Sequence, residues 1–326
     1  VPLATLQLFI GLVVLFLGGH YLVQGATRVA LLGRVSTAVV GLTVVAMGTS
    51  FPELAVSVGA AIKGSTELAY GNIIGSTIFN IGAILGVSAV LAPIAVSRQT
   101  IRLEYPFMFI VAATVLLLCR DAVIDRLEGA FLLFALVLFT AYVVHLAQRE
   151  VIEDEALALD REVKRTANLQ GGLGRAWGVN LALVLVGIVT LVLGADQVVR
   201  GAVEIAVFWG VDERTIGLTV VAIGTSLPEF ATSFVAAKQG EHEIALANVI
   251  GSNLFNLLGV LGTTALVLPV SITRPAASVD NWVMLAFCGA MFPLMWFGKR
   301  VGKLDGAILL VGLAIYMVYL VSTRGG

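Results

Sequence analysis

Charge is what this chain has least of. Asp, Glu, Lys and Arg make up 13% of its 326 residues, against about 25% in a typical soluble domain. That shortage excludes an ordinary soluble globular protein. The 20 basic and 21 acidic residues leave a formal net charge of −1, so no general affinity for nucleic acid is expected. Cysteine is almost missing. Cys119 and Cys288 each sit in an apolar run and offer neither a disulfide framework nor a metal cluster. None of the three histidines falls in the motifs described below. The first apolar run has no basic leader and no small-residue cleavage site, so it reads as a retained membrane helix rather than a signal peptide.

What the chain has instead is apolar length. Hydrophobic residues make up 59% of it, in recurrent runs of about 20 residues, the length of a membrane-spanning helix. Hydropathy and polar breaks predict ten spans: 3–30, 36–62, 67–93, 102–119 and 128–147, then 178–205, 213–238, 243–270, 280–298 and 303–322. A linker rich in both charge signs and ending in glycines separates the two sets, and is expected to be solvated. The predicted organisation is residues 1–147, a cytoplasmic linker 148–175, and residues 176–326.

The halves are copies of one another. A displacement of 176 positions, the distance from Glu53 to Glu229, lays GLTVVAMGTSFPELAVS over GLTVVAIGTSLPEFATS without a gap. The match runs on through GNIIGSTIFN, residues 71–80, and ANVIGSNLFN, residues 247–256. Five spans per copy is an odd number, so the second copy enters the membrane from the other side. The expected fold is an all-α polytopic membrane protein built from two inverted five-helix repeats, a recurring transporter design with its site near the midplane. With both termini outside, about 13 of the 20 Lys and Arg residues fall in cytoplasmic segments, the bias the positive-inside rule requires.

Two motifs interrupt the apolar pattern. Gly48, Thr49 and Ser50 favour unwound backbone, and Pro52 suits the first turn of a new helix; Gly224, Thr225, Ser226 and Pro228 repeat the device. Each copy is thus predicted to hold a discontinuous helix that breaks near the bilayer centre, where irregular backbone must line a cavity or lie buried in protein. Each also carries a carboxylate, Glu53 and Glu229. Ser50 with Glu53, and Ser226 with Glu229, fit a capping box, which would make the glutamates mere helix caps. A neutral Gln would cap nearly as well, and a charge at that depth costs about 2.5–3.5 kcal/mol or more. Two such groups at equivalent positions point to a shared cation site. In the second motif Asn72, Ser76 and Asn80 fall along one helical face, as do Asn248, Ser252 and Asn256. Interhelical hydrogen bonding with close packing at Gly75 and Gly251 is the alternative for this face. Carboxylates, hydroxyls, amides and main-chain oxygens suit a hard cation such as Ca²⁺, and two carboxylates balance one Ca²⁺, two Na⁺ or two H⁺.

These paired segments, GTSFPEL with GTSLPEF and GNIIGSTIFN with ANVIGSNLFN, resemble the two α-repeats of the Ca²⁺/cation antiporter superfamily, particularly its sodium/calcium exchanger branch. The resemblance implies a secondary antiporter exchanging Ca²⁺ for Na⁺ by alternating access, in the plasma membrane, with no cofactor and no obligate protein partner. It implies carboxylate ligands at Glu53 and Glu229, with Thr49, Ser50, Thr225 and Ser226 beside them. It adds the carbonyls of Ala46 and Ala222, and Ser76, Ser252, Asn80 and Asn256; Asn72 and Asn248 are secondary candidates. It also implies that spans 1 and 6 slide over a more rigid core. Some members carry Asp where this chain has Asn256, which leaves this site with less negative charge. The proton/calcium branch typically shows a GNxxE-type motif that is missing here, so Na⁺ leads over H⁺ as counter-ion. A proton/calcium exchanger and a cation channel are the rival readings, with an intramembrane hydrolase built on Ser50 or Ser226 behind them. Among the remaining polar residues, His20 aligns with Asp196 and is read as a structural hydrogen-bonding group. Glu104, His145 and Asp305 are read as interfacial, Glu241 and His242 as loop residues.

Overall fold

A computed structural model describes residues 2–149, 163–210, 222–272, 279–296 and 299–324. The fold is that of an all-α polytopic membrane protein made of two inverted five-helix repeats. The first repeat contains α1 (Pro2–Gly33), α2a (Thr37–Thr49) and α2b (Phe51–Ile62), α3 (Thr66–Leu91), α4 (Thr100–Asp121) and α5 (Arg126–Arg149). The second contains α6 (Leu173–Phe208), α7a (Ala222–Thr225) and α7b (Leu227–Gln239), α8 (His242–Val267), α9 (Asn281–Trp296) and α10 (Lys303–Arg324). Among the described residues seven helices are long and apolar enough to cross a membrane, and the bent pair α2a–α2b makes an eighth. The helix α9 is shorter but apolar. Residues 213–221 of the expected span 213–238 lie outside the described residues, which hold its α7a–α7b portion.

The repeats interlock. Helices α1 and α6 run antiparallel in close contact, and the sequence allows it by placing glycines seven apart on both. Gly11, Gly18 and Gly25 face the backbone of Val198, Leu191 and Val184, while Gly187, Gly194 and Gly201 face Leu22, Leu15 and Leu8. An added Cβ at Gly187 or Gly194 would stand 2.6 Å from a backbone nitrogen of α1, so only glycine permits this approach. Gln7 and Gln197 add a side-chain hydrogen bond of 2.9 Å. The fifth helix of each repeat packs on the third helix of the other, Gly129 of α5 against Gly262 of α8, and Gly306 of α10 against Gly86 of α3.

Two short antiparallel strand pairs tie the connecting loops of one repeat to those of the other. β1 (Ile94–Ala95) pairs with β4 (Arg300–Val301), and β2 (Val123–Ile124) with β3 (Val270–Ser271). In helices α3 and α8 the α-helical pattern widens to π over Asn80–Leu85 and Phe255–Val260. Single-turn π segments of this kind accompany functional sites, and here they fall at equivalent places in the two repeats.

The described part of the linker beyond residue 162 departs from the solvated segment its charge suggests. Residues 163–169 are helical, and Val163 and Ala167 are buried. Val163 packs with Leu32 of α1 and with Ala176 and Trp177 of α6. Apolar residues spaced four apart in VKRTANL, residues 163–169, are enough to seat one turn on a neighbour. A glycine pair with positive φ, Gly171 and Gly172, then turns the chain into α6, which starts at Leu173, earlier than hydropathy places it.

Candidate functional site

The chain bends by 43° between α2a and α2b. The break is narrower than the sequence suggests, being one residue in each copy. Ser50 (φ −85°, ψ 9°) and Ser226 (φ −88°, ψ 5°) alone leave the helical conformation there. Pro52 and Pro228 then sit in the first turn of the following half-helix. Proline has no N–H to give, so Gly48 and Gly224, four residues earlier, lose their helical donors. The Ala46 carbonyl accepts the Ser50 N–H at 3.0 Å and lies 3.2 Å from the Thr49 hydroxyl. Ala222 opens α7a at the edge of the described residues, and its surroundings lie outside them.

Neither serine caps its own helix through its side chain. Each reaches across to the other repeat. The Ser50 hydroxyl donates to Glu229 Oε1 at 2.7 Å, and the Ser226 hydroxyl donates to Glu53 Oε1 at 3.0 Å. The capping-box alternative fails on this geometry. Both carboxylates are fully buried at 0% exposure, and each keeps Oε2 without a protein partner. A buried carboxylate oxygen left unpaired is costly unless something else satisfies it. Thr225 also contacts the Glu53 carboxylate, and Thr49 that of Glu229.

The second motif supplies the walls. Asn72 donates to Ser57 Oγ at 3.0 Å and approaches the Glu53 carbonyl at 3.5 Å. Asn248 does the same with Ser233 Oγ at 2.9 Å and the Glu229 carbonyl at 3.4 Å. These amides hold each glutamate-bearing half-helix against α3 or α8. Asn248 Oδ1 also lies 3.3 Å from the Thr49 hydroxyl, and Ser252 Oγ lies 3.5 Å from it. Asn80 donates to Asn253 Oδ1 at 3.0 Å, while its own Oδ1 has no partner. Ser76 Oγ and both polar atoms of Asn256 are buried and unpartnered.

Sequence reasoning missed Ser57, Ser233 and Asn253. Ser57 and Ser233 lie four residues after Glu53 and Glu229, on the same helical face, and obey the same displacement of 176; that was the available signal. Asn253 stands opposite Thr77 in the repeat, so the repeat carries no signal for it. Ser57→Ala or Ser233→Ala leaves a buried amide short of an acceptor. Each is expected to cost roughly 1–3 kcal/mol of stability, read as a lower melting temperature in detergent, with the carboxylates still in place.

The two copies are not packed alike. Helix α1 covers α7b: Phe16 meets Phe234 with ring centroids 5.5 Å apart, a Cβ at Gly19 would lie 3.1 Å from the Ala231 carbonyl, and His20 Nδ1 and Gln239 Nε2 are 2.8 Å apart. Helix α6 gives α2b no comparable cover. Ala231 is buried, whereas Ala55, its counterpart, is exposed. Of the other polar residues, Asp196 pairs with Arg200 at 2.8 Å, and His145 is exposed. Asp305 Oδ2 accepts the Gly302 N–H at 2.7 Å, and His242 opens α8. Glu104 is not interfacial in the exposed sense. It is fully buried and accepts the Thr100 hydroxyl at 2.8 Å.

An inverted-repeat membrane fold whose two broken helices face each other, each carrying a buried carboxylate, defines a secondary cation transporter. Residues 3–145 and 179–322 match the model of the sodium/calcium exchanger protein family, and the chain belongs to that family. It is thus a multi-pass membrane antiporter of cations and Ca²⁺. It is similar to the putative antiporter CaxA of Alkalimonas amylolytica, 38% identical with 98% of this chain and 99% of the other covered. It is also similar to the inner membrane protein YrbG of Escherichia coli, 35% identical over 98% and 97%. Among solved structures, the sodium-calcium exchanger NCX_Mj superposes with a TM-score of 0.84 at 28% identity, covering 98% of this chain and 99% of that one.

Proposed function

We propose that the protein exchanges Ca²⁺ for Na⁺ by alternating access at one pocket formed by Glu53 and Glu229. The observation that carries this reading is the reciprocal pair of hydrogen bonds, Ser50 to Glu229 and Ser226 to Glu53. They draw the two carboxylates into one buried space and leave one oxygen of each free. Thr49, Ser50, Thr225 and Ser226 complete the near shell, Asn80, Asn256, Ser76 and Ser252 the outer one, with main-chain oxygen from Ala46 and Ala222. Asn72 and Asn248 position the glutamates rather than touch the ion. All-oxygen ligation of this kind suits Ca²⁺ and Na⁺.

The unequal cover of α2b and α7b supports a pathway open on one side only, as alternating access requires. Both termini lie outside the plasma membrane on this reading, and residues 148–175 lie in the cytoplasm. No cofactor and no protein partner enters the cycle.

Uptake of ⁴⁵Ca²⁺ into proteoliposomes, driven first by a sodium gradient and then by a pH gradient without sodium, tests the counter-ion. The expected result is uptake under the sodium gradient and none above background under the pH gradient. Uptake under the pH gradient alone would replace Na⁺ with H⁺. Ca²⁺ flux that needs no counter-ion on the far side would make the protein a channel.

A further inference from the structure

The contact that closes α1 over α7b has no equivalent between α6 and α2b, although the repeat supplies the residues for one. Phe16, Gly19 and His20 of α1 meet Phe234, Ala231 and Gln239 of α7b. The displacement of 176 carries the first three to Val192, Ala195 and Asp196 of α6, and the last three back to Val58, Ala55 and Lys63 of α2b. A neutral pair, His20 with Gln239, thus answers to a pair of opposite charge, Asp196 with Lys63. In this structure those two stand apart. Asp196 turns back to Arg200 on its own helix at 2.8 Å. Lys63 is exposed at the end of α2b and has no acidic partner among the described residues.

The glycine seam holds α1 to α6, so a slide that takes α1 off α7b carries α6 with it. By the symmetry of the repeats that slide ends with α6 over α2b. The apolar fit waiting there is poorer. Two valines replace the ring pair, and Ala195 brings a methyl where Gly19 lets α1 come close. A hydrogen bond needs close approach, whereas opposite charges attract across a looser fit. Exposed ion pairs are also weak, so Asp196 leaves Arg200 at small cost. A contact that forms and breaks in every cycle has to be of this kind.

Resting on the alternating-access reading above, we infer that Asp196 and Lys63 form an ion pair in the opposite-facing state, in place of the His20–Gln239 contact. On the orientation proposed above, α2b ends at the outer face and α7b at the cytoplasmic face. The Asp196–Lys63 pair then latches the outer side shut, as His20–Gln239 latches the inner side in this structure. Both are positioning residues that touch no ion.

The test joins cross-linking to ⁴⁵Ca²⁺ uptake by the full-length protein in proteoliposomes. In K63C/D196C a short bifunctional maleimide is expected to join the two helices during uptake and stop it. The wild type, whose Cys119 and Cys288 are buried, should keep its activity under the reagent. K63Q and D196N should each lower the maximal rate about 2- to 5-fold, the range an exposed ion pair allows. K63Q/D196N should lower it no further, since all three variants remove the same pair. Their melting temperatures in Ca²⁺-free detergent should match the wild type, because the pair is absent from the state described. Losses that add in the double variant, or full uptake by K63C/D196C after the reagent, overturn the inference and leave antiport standing. A wild type that takes up no Ca²⁺ under any counter-ion gradient would end the antiport reading, and the inference with it.

Discussion

Glu53→Gln and Glu229→Gln are each expected to lower Ca²⁺ uptake more than 100-fold without unfolding the protein. Gln keeps the shape of Glu and keeps an oxygen for Ser226 or Ser50 to donate to, so the link between the repeats survives. What is lost, on the proposed reading, is one of the two charges that would face the ion. Removing one partner of a buried, paired charge costs roughly 3–5 kcal/mol, which is at least two decades in affinity. Stability should move the other way in Ca²⁺-free detergent. Each carboxylate is buried with one oxygen unpaired, a neutral amide of the same shape is cheaper to bury than a charge, and the variants should melt no lower than the wild type. Adding Ca²⁺ raises the melting temperature of a protein that binds it when folded; the wild type should gain this increment and both variants should lose it. Near-normal uptake in either variant would reduce that glutamate to a structural group.

The helix plan was readable because lipid demands long apolar runs, and hydropathy finds such runs whatever packs against them. The start of α6 at Leu173 escaped because Arg175 and the glycines around it mask the first turn. Helix breaks were readable for a different reason: Gly-Thr-Ser followed by proline is local chemistry, and local chemistry put the kinks at Ser50 and Ser226. Partner choice was not local. The Ser-x-x-Glu spacing fits a cap within one helix as well as a bond between repeats, and only the facing arrangement of α2 and α7 selects the second. Asn253 illustrates the same limit. Its role depends on where Asn80 points, and its repeat counterpart is a threonine whose hydroxyl bonds back to the Ile73 carbonyl.

Seven-residue glycine spacing on α1 and α6 was present in the sequence, but it gained meaning only once the two helices were seen side by side. It yields the second large effect. Without a hydrophobic drive between helices in lipid, close approach of small residues supplies much of the association. At Gly187 an added methyl would meet Leu22 N at 2.6 Å and its Cα at 2.7 Å; at Gly194 it would meet Leu15 N at 2.6 Å and its Cα at 2.8 Å. These are backbone atoms and cannot rotate aside, so α1 and α6 must move apart along the whole seam. Overpacking costs roughly 1–3 kcal/mol at one site. Because a single separation accommodates both methyls, G187A/G194A should cost less than the sum of the two single changes, a non-additivity typical of neighbouring sites. Gly59 of α2b provides the control, since a Cβ there meets nothing within 4 Å. G59A should leave the melting temperature unchanged or raise it, as Ala is favoured over Gly in a helix by about 1 kcal/mol. Melting curves of the purified proteins in one detergent read all four variants together. Equal melting of G194A and the wild type would mean that the two long helices do not touch along this seam.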